Sequence, residues 1–160
     1  MILGTLWNVV DIKKIIFETK QYRLQDFLIG ILFGATLSFF LIILGGGKYL
    51  VIPENDTWQN LFLLIFQISV AEELLFRGFT LKYLQGFNLN PIFSNLIQSL
   101  TFTLLHTSRY TSNFIILSVV FLSGYIAGYF TIKNNNIFIA IVIHVTVNLV
   151  SGIYLTINFI

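Results

Sequence analysis

Glu72, Glu73, Arg77, His106, His144 and Asn148 lie inside or at the margins of long apolar stretches, and the two histidines are the only ones in the chain. A charged side chain near the centre of a bilayer costs roughly 2.5–3.5 kcal/mol on insertion scales, so each is a candidate for function by default. On a helix, Glu73 and Arg77 are four residues apart and share a face, which makes an ion pair that lowers the cost of both charges. Glu72 points about 100° away from that pair and needs another partner or a task of its own. Phe102 and His106 share a face on a second helix. On a third, His144 and Asn148 share a face from which two hydrogen bonds can be donated to one point. Together these groups suggest one polar chamber inside a membrane bundle. Each also has a plainer reading. The two acids could brace Arg77 alone, a lone histidine on an apolar helix is more often a satisfied interior residue, and a His–Asn pair can clamp two helices.

The composition fits that setting. The chain has 160 residues, 56% hydrophobic and 10% charged, with a mean hydropathy of +0.85. A soluble domain carries about 25% charge, so the chain reads as an integral membrane protein of one domain. The net charge of +2 and the lack of a large cationic cluster exclude nucleic acid as a partner. Without cysteine there is no disulfide, iron–sulfur site or thiol nucleophile. Asp11, Lys13, Lys14, Glu18 and Lys20 interrupt the start of the chain where a signal peptide would be apolar.

The fold class expected is all-α, a polytopic transmembrane bundle of about five spans over residues 24–160, preceded by an amphipathic segment at 1–23. That segment would lie in the membrane interface with Trp7 and Tyr22 as anchors. The first span runs from Leu24 to Leu44 and stops at Gly45-Gly46-Gly47. The second starts near Asp56, where Asp56-Thr57-Trp58-Gln59 has the form of a capping box, and runs to about Tyr83. The third starts at Asn90-Pro91, an N-cap followed by proline at the first helical position, and ends between His106 and Arg109. The fourth covers Asn113 to Ile132, Asn134-Asn135-Asn136 is the turn, and the fifth begins near Ile137. Gly124 and Gly128 on the fourth span are small residues four apart, the spacing that lets helix backbones approach.

Lys13, Lys14, Lys20, Arg23, Lys82 and Lys133 fall on one side of such a bundle, and Lys48 and Arg109 on the other. This places the N-terminus in the cytoplasm and the C-terminus outside. At 1.5 Å per residue, Glu72 lies roughly 15 Å from Lys82, His106 roughly 22 Å from Pro91, and Asn148 and His144 roughly 16 and 10 Å from the start of the fifth span. Helix tilt can bring all four to one depth, which independent structural accidents would have no reason to share.

In order, Glu72-Glu73-x-x-x-Arg77, Phe102-x-x-x-His106, Phe121-x-x-Gly124-x-x-x-Gly128 and His144-x-x-x-Asn148 resemble the CPBP family. This family holds the type II CAAX prenyl proteases and the related Abi group of bacteriocin-processing and immunity proteins. The similarity covers about Asp56 to Ser151, with one helix before the Glu-Glu helix where members usually have more. The resemblance implies an intramembrane endopeptidase. Glu72 and His106 would hold and activate a water, and Glu73 and Arg77 would order their helix. His144 and Asn148 would stabilise the oxyanion, with Phe102, Gly124 and Gly128 as structural support. A carboxylate base contributes typically 10²–10⁴-fold, and an oxyanion donor ~2.7–4 kcal/mol in soluble enzymes. No serine has the acid–base partners of a nucleophile.

The expected partners are a membrane-associated peptide or protein substrate and the lipid bilayer, and a homo-oligomer stays open. The expected location is a bacterial plasma membrane. No metal is assigned as obligatory, although zinc on Glu72, His106 and His144 would make a three-ligand site with an open position. Two other functions use the same residues: a non-catalytic binding or immunity protein on the same scaffold, and a proton or ion pathway.

Overall fold

Three asparagines set the helix ends in the second half of the chain. Asn90 Oδ1 accepts from the Ile92 amide at 2.8 Å, with Pro91 at the first helical position, as the sequence predicts. Asn113 Oδ1 accepts from the amides of Ile115 and Ile116. Asn135 adopts the left-handed conformation (φ 51°) that stops the helix before it. The computed structural model describes residues 23–44, 58–110 and 113–159. The expected interfacial segment with Trp7 and Tyr22, the Gly45-Gly46-Gly47 stop and the Asp56 cap lie outside the described residues.

Among the described residues all regular structure is helical: α1 (Leu24–Ile43), α2 (Trp58–Glu73), a π-helical stretch (Leu74–Thr80), α3 (Leu81–Gly86), α4 (Pro91–Leu105), α5 (Phe114–Asn134) and α6 (Phe138–Phe159). These match the five expected spans, α2 to α3 forming one continuous rod. The difference lies inside that rod. The Leu81 amide bonds the Phe76 carbonyl, and Thr80 Oγ1 donates to the Leu75 carbonyl at 2.9 Å, so one turn is widened directly after Glu73. Such π-bulges gather at functional sites, and nothing in apolar periodicity marks them.

The burial pattern is inverted relative to a soluble protein. Ser38, Ser69, Glu73, Arg77, Asn95, Gln98 and Thr131 are buried, whereas Leu32, Phe39, Phe62, Leu63, Leu100 and Leu104 face outward. Lipid solvates the second set, and the interior bonds the first, leaving Glu73 Oε2, Arg77 Nε and Gln98 Oε1 without a partner. α1 and α5 are each long and apolar enough to cross a membrane. The protein is a helical membrane bundle. α4, with 15 residues, rises only about 22 Å and ends at His106, so this histidine sits at a helix terminus rather than within a full span. At the opposite end of α4, Lys82 Nζ donates to Asn135 Oδ1 at 2.6 Å and ties α3 to the end of α5.

α1 packs on α6 through small residues. A Cβ on Gly30 would stand 2.6 Å from Val142 Cγ1, and one on Gly34 would stand 2.6 Å from Thr146 Cβ and 2.7 Å from the Ile143 carbonyl oxygen. One turn further, Ser38 and Ser151 hydroxyls are hydrogen-bonded at 2.9 Å. Gly30, Gly34 and Ser38 recur every four residues, so the seam depends on close backbone approach. Gly34→Leu is expected to destabilise the bundle by ~1–3 kcal/mol, as overpacking does. Leu32→Ala, at a lipid-facing position 66% exposed, is the control and should change little. Equal unfolding midpoints for both variants in detergent would count against this seam.

Candidate active site

The site is built from one buried carboxylate outward. Glu73 and Arg77 are each 1% exposed, and Arg77 Nη1 donates to Glu73 Oε1 at 2.7 Å, the ion pair expected from their spacing. Arg77 is held on two further sides. Its Nη2 donates to the Gly124 carbonyl at 3.1 Å. Its guanidinium lies 4.6 Å from the centre of the Phe102 ring, and Phe76 meets that ring edge-on at 5.0 Å. A Cβ on Gly124 would come within 3.3 Å of Arg77 Nη2, and one on Gly128 would overlap Asn95 Oδ1, so both glycines make room for polar side chains rather than only for a backbone.

Glu73 has a second task that its spacing from Arg77 does not reveal. His144 Nδ1 lies 2.7 Å from the same Oε1 atom. A carboxylate only accepts, so Nδ1 carries a proton and Nε2 turns to the other glutamate. His106 is set likewise: its Nδ1 is 2.8 Å from the Phe102 carbonyl, which leaves Nε2 facing the site. Both Nε2 atoms converge on Glu72 Oε2, at 3.8 Å from His106 and 3.6 Å from His144. Glu72 is the exposed member of the acid pair, at 27% against 1% for Glu73, yet its Oε2 is buried without a hydrogen-bond partner.

The structure thus brings Glu72, Glu73, His106 and His144 together around Phe102, whose ring is tilted against His106 at 4.4 Å and edge-on to His144 at 5.9 Å. Asn148 lies one turn beyond His144, and both line a small cavity of about 30 Å³ with His106, Glu73, Tyr110 and Leu41. A single water needs about 10–15 Å³ of such space. Asn148 Nδ2 donates to Ser69 Oγ at 3.0 Å.

Sequence reasoning missed several of these groups. Ser69 precedes Glu73 by one turn on the same face, a spacing that could have marked it. Asn95, Gln98 and Ser99 are buried together, with Gln98 Nε2 within hydrogen-bonding range of Asn95 Oδ1, Ser99 Oγ and the Gly124 carbonyl. Their three- and four-residue spacing in an apolar span was the available signal. Tyr110 stacks on His106 at 6.2 Å from outside the helix, and no local pattern announces it.

The donor set can be compared with the needs of a cation. A tetrahedral zinc with bonds of 2.0–2.1 Å places neighbouring donors about 3.3–3.4 Å apart, closer than the 3.6 and 3.8 Å found here. Among the described residues no group of three or more His, Asp or Glu is arranged to hold a metal ion.

The protein is thus a helical membrane bundle with one carboxylate, Glu73, and two imidazoles lining a water-sized cavity. The family model described as type II CAAX prenyl endopeptidase Rce1-like matches residues 54–150, and the chain belongs to this family of membrane peptidases. No curated protein and no solved structure matches the chain. α1 lies before the matched residues, yet its Leu41 forms part of the cavity wall.

Removing one partner of a buried ion pair leaves an uncompensated charge and costs about 3–5 kcal/mol. Arg77→Ala is therefore expected to destabilise the folded bundle by that amount. Arg77→Lys, which cannot reach both Glu73 and the Gly124 carbonyl with a planar fork, should fall between it and wild type. Unfolding in detergent ranks the three. An Arg77→Ala protein as stable as wild type would contradict the role given to this pair.

Proposed function

We propose that the protein is an intramembrane endopeptidase that hydrolyses a peptide bond with a water held between Glu72 and His106. The observation that carries this reading is the approach of His106 Nε2 to the unpartnered Glu72 Oε2 at 3.8 Å. Both atoms are acceptors when His106 is neutral with its proton on Nδ1. A water donating one hydrogen to each is fixed with its oxygen lone pair free to attack.

The oxygen of that water bonds to the substrate carbonyl carbon as Glu72 takes one of its protons. Negative charge moves onto the carbonyl oxygen. Asn148 uses one amide hydrogen on Ser69 and has the other for that oxygen. Donation there from His144 Nε2 requires the doubly protonated ring, because Nδ1 keeps its proton on Glu73 at 2.7 Å. The carbon–nitrogen bond then breaks as Glu72 returns its proton to the leaving nitrogen. Glu73 acts through His144, and Arg77 through Glu73. No step is written through a metal.

The substrate class we infer is a membrane-associated peptide or protein with its scissile bond near the membrane surface. Bacteriocin processing or self-immunity in a bacterial plasma membrane is the setting implied by the Abi resemblance. The lysine and arginine distribution supports a cytoplasmic N-terminus.

Purified wild type and Glu72→Gln, assayed on a library of prenylated and membrane-embedded peptides with and without a chelator, test the proposal. Cleavage by wild type, about 10²–10⁴-fold slower in a folded Glu72→Gln variant and insensitive to chelator, is the expected result. Full activity in Glu72→Gln would overturn the assignment of the base. No cleavage by folded wild type would favour the binding or immunity protein. Chelator inactivation reversed by zinc would move Glu72, His106 and His144 to the role of ligands.

A further inference from the structure

Ser69 is fully buried on α2, two turns before Arg77 and one before Glu73. Its hydroxyl accepts a hydrogen bond from Asn148 Nδ2 at 3.0 Å, across the interface between α2 and α6. The Asn148 side chain lines the cavity shared by His106 and His144. A primary amide has two N–H donors, and its oxygen and nitrogen ends are nearly the same shape. Unheld, the amide could turn its oxygen to the cavity, where it would repel a developing negative charge. The Ser69 bond anchors the amide, engaging one N–H and leaving the other beyond it. A preorganised donor stabilises an oxyanion more than one that must reorient during the reaction.

We propose that Ser69 is a positioning residue: it anchors the amide of Asn148 so that its second N–H is held for the reacting carbonyl. This rests on the endopeptidase reading above and on Asn148 as an oxyanion donor. It assigns Ser69 no contact with substrate. Ser69 follows the spacing of the acid–Arg pair, so α2 carries two supports on one face: Ser69 for Asn148 and Glu73 for His144.

The test is a double-mutant cycle on the purified full chain in detergent, with a farnesylated, internally quenched peptide ending in a CAAX sequence as the probe. Asn148→Ala should lower kcat about 10²–10³-fold. Ser69→Ala should lower kcat about tenfold with KM within about twofold of wild type, the scale of one hydrogen bond. The double variant should be no slower than Asn148→Ala, because Ser69 acts only through Asn148. Unfolding midpoints confirm that each variant is folded. Should Ser69→Ala not fold, Ser69→Thr, which keeps the hydroxyl, read in the same cycle, should retain kcat within about threefold.

Two results overturn the inference while leaving the endopeptidase reading intact: kcat unchanged in Ser69→Ala, or losses that multiply in the double variant. Unchanged kcat in Asn148→Ala removes the oxyanion role itself. Folded wild type that does not cleave the probe overturns the inference together with its application to this substrate, and the wider library then decides the endopeptidase reading separately.

Discussion

A carboxylate with almost no exposure has to be neutralised from within the protein, and Glu73 meets that demand with one oxygen shared between Arg77 and His144. The rest of the site follows from this. Arg77 must be long and planar to reach Glu73 and the Gly124 carbonyl together. Position 124 must be glycine-sized where that guanidinium crosses α5. Phe102 must offer a ring face to the cation and an edge to His144. With Nδ1 committed to Glu73, His144 has only Nε2 to present to the cavity. The two adjacent acids therefore divide the work: the buried one orients, and the exposed one stays available.

The bilayer makes this arrangement both costly and stable. Polar groups inside lipid have no water to fall back on, so each must find a protein partner. The buried side chains of α4, Asn95, Gln98 and Ser99, bond mainly to each other and to backbone carbonyls of α5. Apolar lipid also gives no hydrophobic drive for helix association, so close packing must supply it. Small residues serve this purpose at two seams, Gly30 and Gly34 between α1 and α6, and Gly124 and Gly128 between α5 and α4. The first seam places Leu41 at the cavity, which links a helix outside the family match to the site.

Helix positions and the ionisable residues were legible in the sequence, because both follow from local rules. Long apolar runs interrupted by Asn-Pro and Asn-Asn-Asn gave the boundaries of α4, α5 and α6. Spacing showed that Glu72 needs a partner other than Arg77 without saying which, and the fold sets two histidines against it. Tertiary choices were hidden. The sequence gives Glu73 one partner within its own helix, whereas the fold adds His144 from 71 positions away. Ser69 is one more small polar residue in an apolar run until α6 brings Asn148 to it. The widened turn after Glu73 depends on Thr80 and on tertiary packing, not on periodicity.

The same geometry bears on whether these groups relay ions. A proton path needs titratable groups or waters in succession across the bundle. From Glu72 one line of contacts runs to His144, then Glu73, then Arg77, and from there to a carbonyl shared with an amide side chain; another runs to His106 and the ring of Tyr110. A fixed guanidinium is an electrostatic barrier to protons and other cations, as it is in selective pores. That line of contacts meets a fixed charge at Arg77. A line of polar contacts with a fixed charge at one end and the more exposed acid at the other leaves Glu72 as the member that an entering molecule would meet first.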